Sequence, residues 1–210
     1  MRSRTFAFFL AALCLTLAGV YLWAGQDSIQ SSAANAEGAT QQQGASPPPL
    51  RKPDVHFVGT PQEVVDGMLR MAQVSKNDIL YDLGSGDGRI VITAAKRYGT
   101  RGVGIDIDPE RIQEAEANAQ REGVSQLVKF RNEDLFEADI HEATVVTLYL
   151  LERLNEKLKP KLLADLKPGT RIVSHAFSMG DWEPEKSADV NGRKIFMWTV
   201  PAKRASAKRP

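Results

Sequence analysis

Acidic residues beside a glycine-rich turn are the part of this sequence best suited to chemistry. An apolar run at residues 79–83 contains Asp82, and a helical pattern begins at Ile90. Between them lies a turn composed of Gly84, Ser85, Gly86, Asp87 and Gly88. A strand, a tight turn and a helix N-terminus in this order leave backbone N–H groups free for a ligand. We therefore predict a nucleoside-cofactor site at this turn.

The acids in and before the turn indicate a cationic cofactor. The three glycines follow the pattern G-x-G-x-G, whereas the dinucleotide fingerprint is G-x-G-x-x-G and holds a pyrophosphate. Asp82 and Asp87 would repel a pyrophosphate, but they would attract the ammonium and sulfonium groups of S-adenosylmethionine. We therefore predict S-adenosylmethionine as the cofactor.

Two further acids come at the end of the second predicted strand and after the third. Asp106 lies 22 positions after Gly84 (106 − 84), close to the spacing of about 20 expected for a residue that binds ribose hydroxyls. Ile107, next to it, belongs to the same predicted site, and Asp108 is the expected N-cap of the following helix. Asp134 is placed to accept a hydrogen bond from the adenine amino group.

Strands that alternate with helices are predicted to position these acids. Apolar runs indicate strands at residues 79–83, 102–107, 127–131, 144–150 and 171–177, with helices at 89–98, 109–122 and 154–166. The pair Asn191-Gly192 favours a two-residue turn, which predicts an antiparallel hairpin of residues 186–190 and 194–200. The expected fold class is α/β: a Rossmann-like parallel sheet with helices on both faces, closed by this hairpin.

Another helix is predicted before the first strand. Thr60 is its expected N-cap, Pro61 its first residue, and Glu63 completes a capping box. Its apolar face consists of Val64, Val65, Met68, Leu69 and Ala72. We expect this helix to pack on the sheet, and an alternative role for residues 56–60 is a lid over the cofactor.

The N-terminal segment is predicted to anchor the chain in a membrane. Residues 5–25 carry no charge, and roughly 20 such residues at about 1.5 Å each match a hydrocarbon core of about 30 Å. Tyr21 and Trp23 lie where an interfacial aromatic belt would be. The alternative is a signal segment with export after cleavage near Ala36, because residues 34–36 offer a small-residue cleavage site.

The orientation of this predicted single span is contested by two signals. Arg2 and Arg4 precede the apolar stretch, and the positive-inside rule would then place the folded domain outside the cytoplasm. S-adenosylmethionine is made in the cytoplasm, so we expect the domain on the side that is supplied with this cofactor. The oligomeric state stays open.

Composition divides the chain into four predicted parts. Residues 1–25 form the anchor or signal segment, 26–53 a disordered linker rich in Ser, Ala, Gln and Pro, 54–201 the folded domain, and 202–210 a basic tail. The net charge of +1 gives no overall attraction to nucleic acid, and no specific nucleic acid is expected. The single cysteine excludes an intramolecular disulfide, and three scattered histidines give no zinc spacing, so no structural metal is expected.

Over residues 55–201 the chain resembles the class I, seven-strand S-adenosylmethionine-dependent methyltransferases. The resemblance rests on residues 82–88, on Asp106 and on residues 132–134. It implies the seven-strand methyltransferase fold and methyl transfer from S-adenosylmethionine.

A narrower resemblance rests on residues 57–61, with Val64 and Val65, and on residues 172–177 and 182–184. These stretches resemble the small membrane-associated protein-lysine methyltransferases that act on mitochondrial membrane proteins, together with their prokaryotic relatives. The implied acceptor is a lysine side chain of a protein. Alternative functions are methylation of a small or lipid-linked molecule, or a catalytically inactive, membrane-tethered binding module.

The acceptor pocket of this fold lies past the fourth and fifth strands, where Tyr149 and His175 are the candidate catalytic residues. Tyr149 is placed to line the methyl channel and His175 to relay a proton, while a core tyrosine and a structural histidine are the alternatives. Trp182 either walls the pocket or covers the sheet. The Asn/Asp-Pro-Pro-Tyr motif of many amino-methylating enzymes is absent from the fourth strand.

Overall fold

The computed structural model of this protein describes residues 50–202. The predicted anchor at residues 5–25 and the cleavage site near Ala36 lie outside the described residues, as do most of the predicted linker and tail. Within residues 50–202, no helix combines the length and the apolar character needed to cross a bilayer.

One seven-stranded sheet organises the described part of the chain. Its strands are β1 (Ile79–Leu83), β2 (Arg101–Asp106), β3 (Val128–Asn132), β4 (Val145–Leu148), β5 (Arg171–His175), β6 (Lys186–Val190) and β7 (Arg193–Thr199). The helices are α1 (Gln62–Met71), α2 (Arg89–Tyr98), α3 (Pro109–Arg121) and α4 (Glu152–Asp165). The order is β3-β2-β1-β4-β5-β7-β6, parallel through β5, with β7 antiparallel to both β5 and β6. The predicted fold class, including the C-terminal hairpin, is confirmed.

Strand β1 lies in the middle of the sheet and contributes to both of its faces. Leu80 packs with α1 and α2 on one face, and Tyr81 and Leu83 pack with α4 on the other. This alternation follows from the two-residue period of a strand. The strand order reverses between β1 and β4, and in open α/β sheets ligands bind at the carboxyl ends of the strands at such a point.

Two of the local predictions that need correction have a visible physical cause, and β4 also ends at Leu148, two residues before its predicted limit. Helix α1 begins at Gln62 with Pro61 as N-cap and no side-chain cap, so the predicted capping box is wrong. The hydroxyl of Thr60 instead lies 3.2 Å from Nδ1 of His175, because this tertiary contact competes with the cap for the same oxygen. Strand β5 ends two residues before the predicted limit, because Ala176 has a φ of 66° and turns the chain.

Candidate functional site

A cleft of about 410 Å³ opens at the carboxyl ends of β1, β2 and β4. Its volume lies within the range of about 300–1,000 Å³ typical of small-molecule sites. Of the residues predicted from the sequence, the cleft lining includes Asp82, Gly84, Ser85, Asp106, Ile107, Asp134 and Tyr149. The topology therefore brings most of the predicted donor residues together with one predicted acceptor residue.

Asp82 is a buried acid at the floor of this cleft and is only 2% exposed. Parallel pairing sets it opposite Thr147 of β4, whose hydroxyl donates a 2.8 Å hydrogen bond to Oδ1. Burial raises the pKa of Asp82 to about 7, and the nearby carboxylates of Asp106 and Asp87 add to the rise. A cation in the cleft would therefore favour ionisation of Asp82 near neutral pH.

The Asp106 carboxylate is held by backbone N–H groups from two turns. Gly86 donates to Oδ2 at 2.8 Å, and Asp108 donates to Oδ1 at 3.0 Å. Each carboxylate oxygen keeps further acceptor capacity, so both can accept ribose hydroxyls while the backbone fixes their position. Ile107 borders the same cleft, and the predicted cap is present, since Asp108 Oδ1 accepts from the backbone N–H of Glu110 at 2.9 Å.

Asp134 lies at the other end of the cleft and is bound by an arginine. Arg51 Nε donates to Oδ2 at 2.6 Å and its Nη2 donates to Oδ1 at 3.2 Å, while the N–H of Phe136 donates to Oδ1 at 3.0 Å. Burial by itself raises the pKa of Asp134, but these hydrogen bonds outweigh it and the pKa lies below its usual value. Arg51 also pairs with Asp54 at 2.5 Å, so ordered contacts begin inside the predicted linker.

Only part of the glycine-rich turn lines the cleft. Gly84 and Ser85 line the cleft, and the buried Ser85 hydroxyl has no hydrogen-bond partner among the described residues. Gly86 and Gly88 are outside the lining. Gly86 has a φ of 51°, and a Cβ there would lie 2.0 Å from the Phe57 ring, so the ring requires glycine at this position.

The residues predicted for the acceptor side form an aromatic group. The Tyr149 ring lines the cleft, and its centroid lies 3.9 Å from the His175 ring and 6.3 Å from Phe177. His175 is 2% exposed and lies outside the lining. Burial, with a contribution from Arg193, lowers the pKa of His175 to about 4, so the ring is neutral at pH 7. The structure thus brings Tyr149 to the cleft, whereas His175 packs against the Tyr149 ring and contacts Thr60, which also lines the cleft.

Trp182 covers the sheet. Its ring lies 6.2 Å from that of Trp198, and its carbonyl accepts a 2.6 Å hydrogen bond from Trp198 Nε1. It is not among the residues that line the cleft. Of the two roles considered for Trp182, this placement matches the covering role.

Sequence reasoning missed several residues that the structure places at the site. Thr147 carries no motif, and its partnership with Asp82 depends on strand register. Arg51 lies in low-complexity sequence and contacts Asp134, 83 positions away. A signal did exist for Leu135 and Phe136, an apolar pair directly after the predicted adenine-binding acid, and both line the cleft.

Comparisons with known proteins identify the family. A protein-family model described as "ANTKMT methyltransferase domain" matches residues 82–186 of this chain. A protein-lysine N-methyltransferase of Saccharolobus islandicus is 53% identical over 135 residues, which cover 64% of this chain and 84% of the relative. The chain belongs to the ANTKMT methyltransferase family. An adenine nucleotide translocase lysine N-methyltransferase of Mus musculus is 33% identical over 153 residues, 72% of this chain and 66% of the relative.

A solved structure shows the same fold with a cofactor product bound. The crystal structure of an RNA methyltransferase from Salinibacter ruber in complex with S-adenosyl-L-homocysteine has 54% sequence identity and a TM-score of 0.69. The match covers 73% of this chain and 100% of that one. The protein is therefore an S-adenosylmethionine-dependent methyltransferase, as predicted.

The cleft of this methyltransferase fits its cofactor. The buried, unpartnered hydroxyl of Ser85 and the carboxylates of Asp82, Asp106 and Asp134 offer polar contacts along its length. When bound, S-adenosylmethionine supplies an activated methyl group on a cationic sulfur. Carboxylates at Asp82 and Asp106 would favour that cation, and Tyr149 lines the same cleft.

Proposed function

We propose that this methyltransferase acts on lysine side chains of proteins. The proposal rests mainly on the similarity to the Saccharolobus islandicus protein-lysine N-methyltransferase. The two sequences are 53% identical, and the alignment covers 84% of that relative. The relative from Mus musculus is also named a lysine N-methyltransferase. Both are named for a nitrogen acceptor, although this chain lacks the Asn/Asp-Pro-Pro-Tyr motif.

The acceptor side of the cleft suits a lysine that arrives without its charge. Bringing a lysine from a pKa of about 10.4 to neutrality at pH 7 costs roughly 4.6 kcal/mol. Of the rings predicted for the acceptor side, Tyr149 lines the cleft, while His175 and Phe177 pack near it from outside the lining. Desolvation beside Tyr149 and the positive sulfonium both lower the lysine pKa. Alignment of two bound reactants can then supply roughly 7–11 kcal/mol, so no strong base is required.

RNA is the second candidate acceptor, because the Salinibacter ruber protein is described as an RNA methyltransferase and shares 54% identity. Nucleic-acid binding depends on cations that are available to phosphates. Arginines at this cleft are instead paired with acids: Arg51 with Asp134 and Asp54, and Arg89 with Asp87 at 2.6 Å. This pairing supports a protein acceptor.

Location forms part of the proposal. We propose that residues 5–25 hold the chain in a membrane as a single span, with the folded domain on the side that is supplied with S-adenosylmethionine. The uncharged composition of residues 5–25 supports this anchoring. Export after cleavage near Ala36 is the alternative, and protease accessibility of the domain in intact cells separates the two.

Transfer of a labelled methyl group tests the acceptor. The full-length protein is incubated with labelled S-adenosylmethionine and with membrane or soluble extract, and the products are treated with protease, treated with ribonuclease, or extracted with organic solvent. We expect protease alone to release the label from the macromolecular fraction, and Asp106→Ala to abolish its incorporation. Release by ribonuclease would establish RNA, and label in the solvent would establish a lipid-linked acceptor. No incorporation from any extract would favour the inactive binding module.

A further inference from the structure

Exposed apolar side chains gather around the mouth of the cleft. Among residues 50–202, the exposed large apolar residues are Leu50, Phe57, Val58 and Leu151. The first three belong to or border residues 51–60, which we call the strap, and Leu151 follows Leu150 in the cleft lining. Single exposed apolar residues are ordinary, but a group around one opening marks a contact surface.

The strap holds its apolar side chains in place through contacts with the domain. Phe57 covers Gly86, and the guanidinium of Arg89 donates a 3.0 Å hydrogen bond to the carbonyl of Thr60. The strap is therefore fixed to the glycine-rich turn on one side and to α2 on the other. Val58, at 63% exposure, remains outward between these attachments.

Cations flank the same apolar surface. Arg89 and Arg111 lie 6.0 and 5.4 Å from the centroid of the Phe57 ring and pair with Asp87 and Glu114, whereas Lys52 of the strap is exposed to solvent. Aromatic and aliphatic groups bordered by arginine and lysine are the composition of surfaces that lie in the headgroup region of a bilayer. On such a surface the apolar groups insert shallowly, while Lys52 remains at the level of the lipid phosphates.

The chain outside the described residues leads from this surface to the predicted anchor. Leu50 directly precedes Arg51 of the cleft lining, and 24 residues (49 − 26 + 1) separate Leu50 from the uncharged residues 5–25. A chain of 24 residues spans at most about 80 Å when fully extended. A bilayer that holds residues 5–25 would therefore lie within reach of the cleft mouth.

We propose that the rim formed by Phe57, Val58 and Leu151 docks on the lipid bilayer, so that the cleft opens at the membrane surface. This inference rests on the membrane anchoring under Proposed function. Docking selects acceptors by position, since a lysine close to the bilayer surface reaches Tyr149 whereas one far from it does not. The anchor restricts the distance of the domain from the membrane, and the rim fixes its orientation.

Site-specific quenching in vesicles tests the orientation. Val58→Cys, Leu151→Cys and Asn77→Cys are each made in full-length Cys14→Ala protein, labelled with nitrobenzoxadiazole, and reconstituted in phosphatidylcholine–phosphatidylglycerol vesicles that contain a headgroup nitroxide lipid. Asn77 is the matched control, because it is exposed in the turn before β1, at the amino ends of the strands, and the cleft opens at their carboxyl ends. Calorimetry with S-adenosyl-L-homocysteine verifies that each labelled protein is folded.

We expect labels at positions 58 and 151 to be quenched several-fold more than the label at position 77. Equal quenching at the three positions, selective quenching at position 77, or failure of the chain to float with the vesicles would overturn the docking proposal. Methyl transfer to proteins is assayed on the same vesicles. Transfer without selective quenching removes the docking proposal alone, and selective quenching without transfer removes the proposed lysine activity alone.

Discussion

The donor and acceptor halves of the cleft differ in charge and in the way they are held. Asp82, Asp106 and Asp134 lie at or just after the carboxyl ends of β1, β2 and β3, and backbone N–H groups of nearby turns hold the last two. On the acceptor side, neutral rings stack on one another, and the Thr60–His175 contact joins residues 115 positions apart. The donor half thus depends on charge placed by local turns, and the acceptor half on packing between distant elements. We expect substitutions in the two halves to have separable effects.

The largest expected effect is on cofactor binding in the donor half. Asp106→Ala removes a carboxylate that the Gly86 and Asp108 N–H groups hold toward the cleft. Loss of charge-assisted hydrogen bonds worth about 3 kcal/mol in total weakens the affinity for S-adenosyl-L-homocysteine roughly a hundredfold in calorimetry. Asp139→Ala, on an exposed loop, is the control and leaves the affinity unchanged. If Asp106→Ala bound S-adenosyl-L-homocysteine as tightly as this control, the assignment of Asp106 to the cofactor site would be wrong.

Tyr149 provides the complementary test in the acceptor half. In Tyr149→Leu the stack on His175 is lost, and we expect methyl transfer to fall roughly ten- to a hundredfold, because small misplacements of reactants are costly. The affinity for S-adenosyl-L-homocysteine stays within about twofold. Tyr149→Phe keeps the ring, so retained transfer in this variant assigns the role to the ring, and lost transfer assigns it to the hydroxyl. Cofactor affinity that falls in parallel with transfer would show that the halves are not separable.

The donor half is also expected to make cofactor binding depend on pH, through Asp82. Because the pKa of Asp82 is raised to about 7, the protein without cofactor must release a proton from Asp82 to offer a carboxylate to the sulfonium. Affinity for S-adenosylmethionine therefore rises about tenfold between pH 6 and pH 8, and binding at pH 6 releases a proton. Calorimetry in buffers of different ionisation enthalpy measures that release. Asp82→Asn abolishes the rise, and an unchanged rise in this variant would assign it to another group.

The smallest expected effects concern stability, and they have opposite signs in the two halves. The pKa of Asp82 is about 7 in the folded protein and 3.8 in the unfolded chain, so between these pH values the folded state binds more protons at Asp82. The contribution of Asp82 to stability therefore grows as pH falls through this range. The pKa of His175 is about 4 in the folded protein and 6.5 in the unfolded chain, so between these pH values the unfolded state binds more protons at His175. The contribution of His175 to stability is therefore lost as pH falls through this range.

Denaturant unfolding of the protein without cofactor separates these contributions. As pH falls from 7 to 4.5, we expect Asp82→Asn to lose about 1–2 kcal/mol of unfolding free energy relative to wild type, and His175→Asn to gain a similar amount. The pH midpoints of the two differences are readouts that a general packing defect does not change. Differences of the same sign in both variants would contradict the assigned pKa directions.

Much of the donor half was predictable because its signals are local. The predicted limits of β1 and α2 coincide with the structure, and the order of strands and turns led to Asp82, Asp106 and Asp134. The acceptor half depends on register and packing that a single sequence does not specify. The same limit explains why Thr60 was assigned to a helix cap and Thr147 was missed, since their partners, His175 and Asp82, lie on strands distant in sequence.

The identity of the methylated residue tests the central claim most directly. A vesicle-bound acceptor protein is methylated by the wild-type enzyme and by Asp106→Ala, digested completely to amino acids, and analysed by mass spectrometry. We predict Nε-methylated lysine with the wild-type enzyme and none with Asp106→Ala. Methyl groups found only on another amino acid, only on nucleosides, or at equal levels with both proteins would contradict the account.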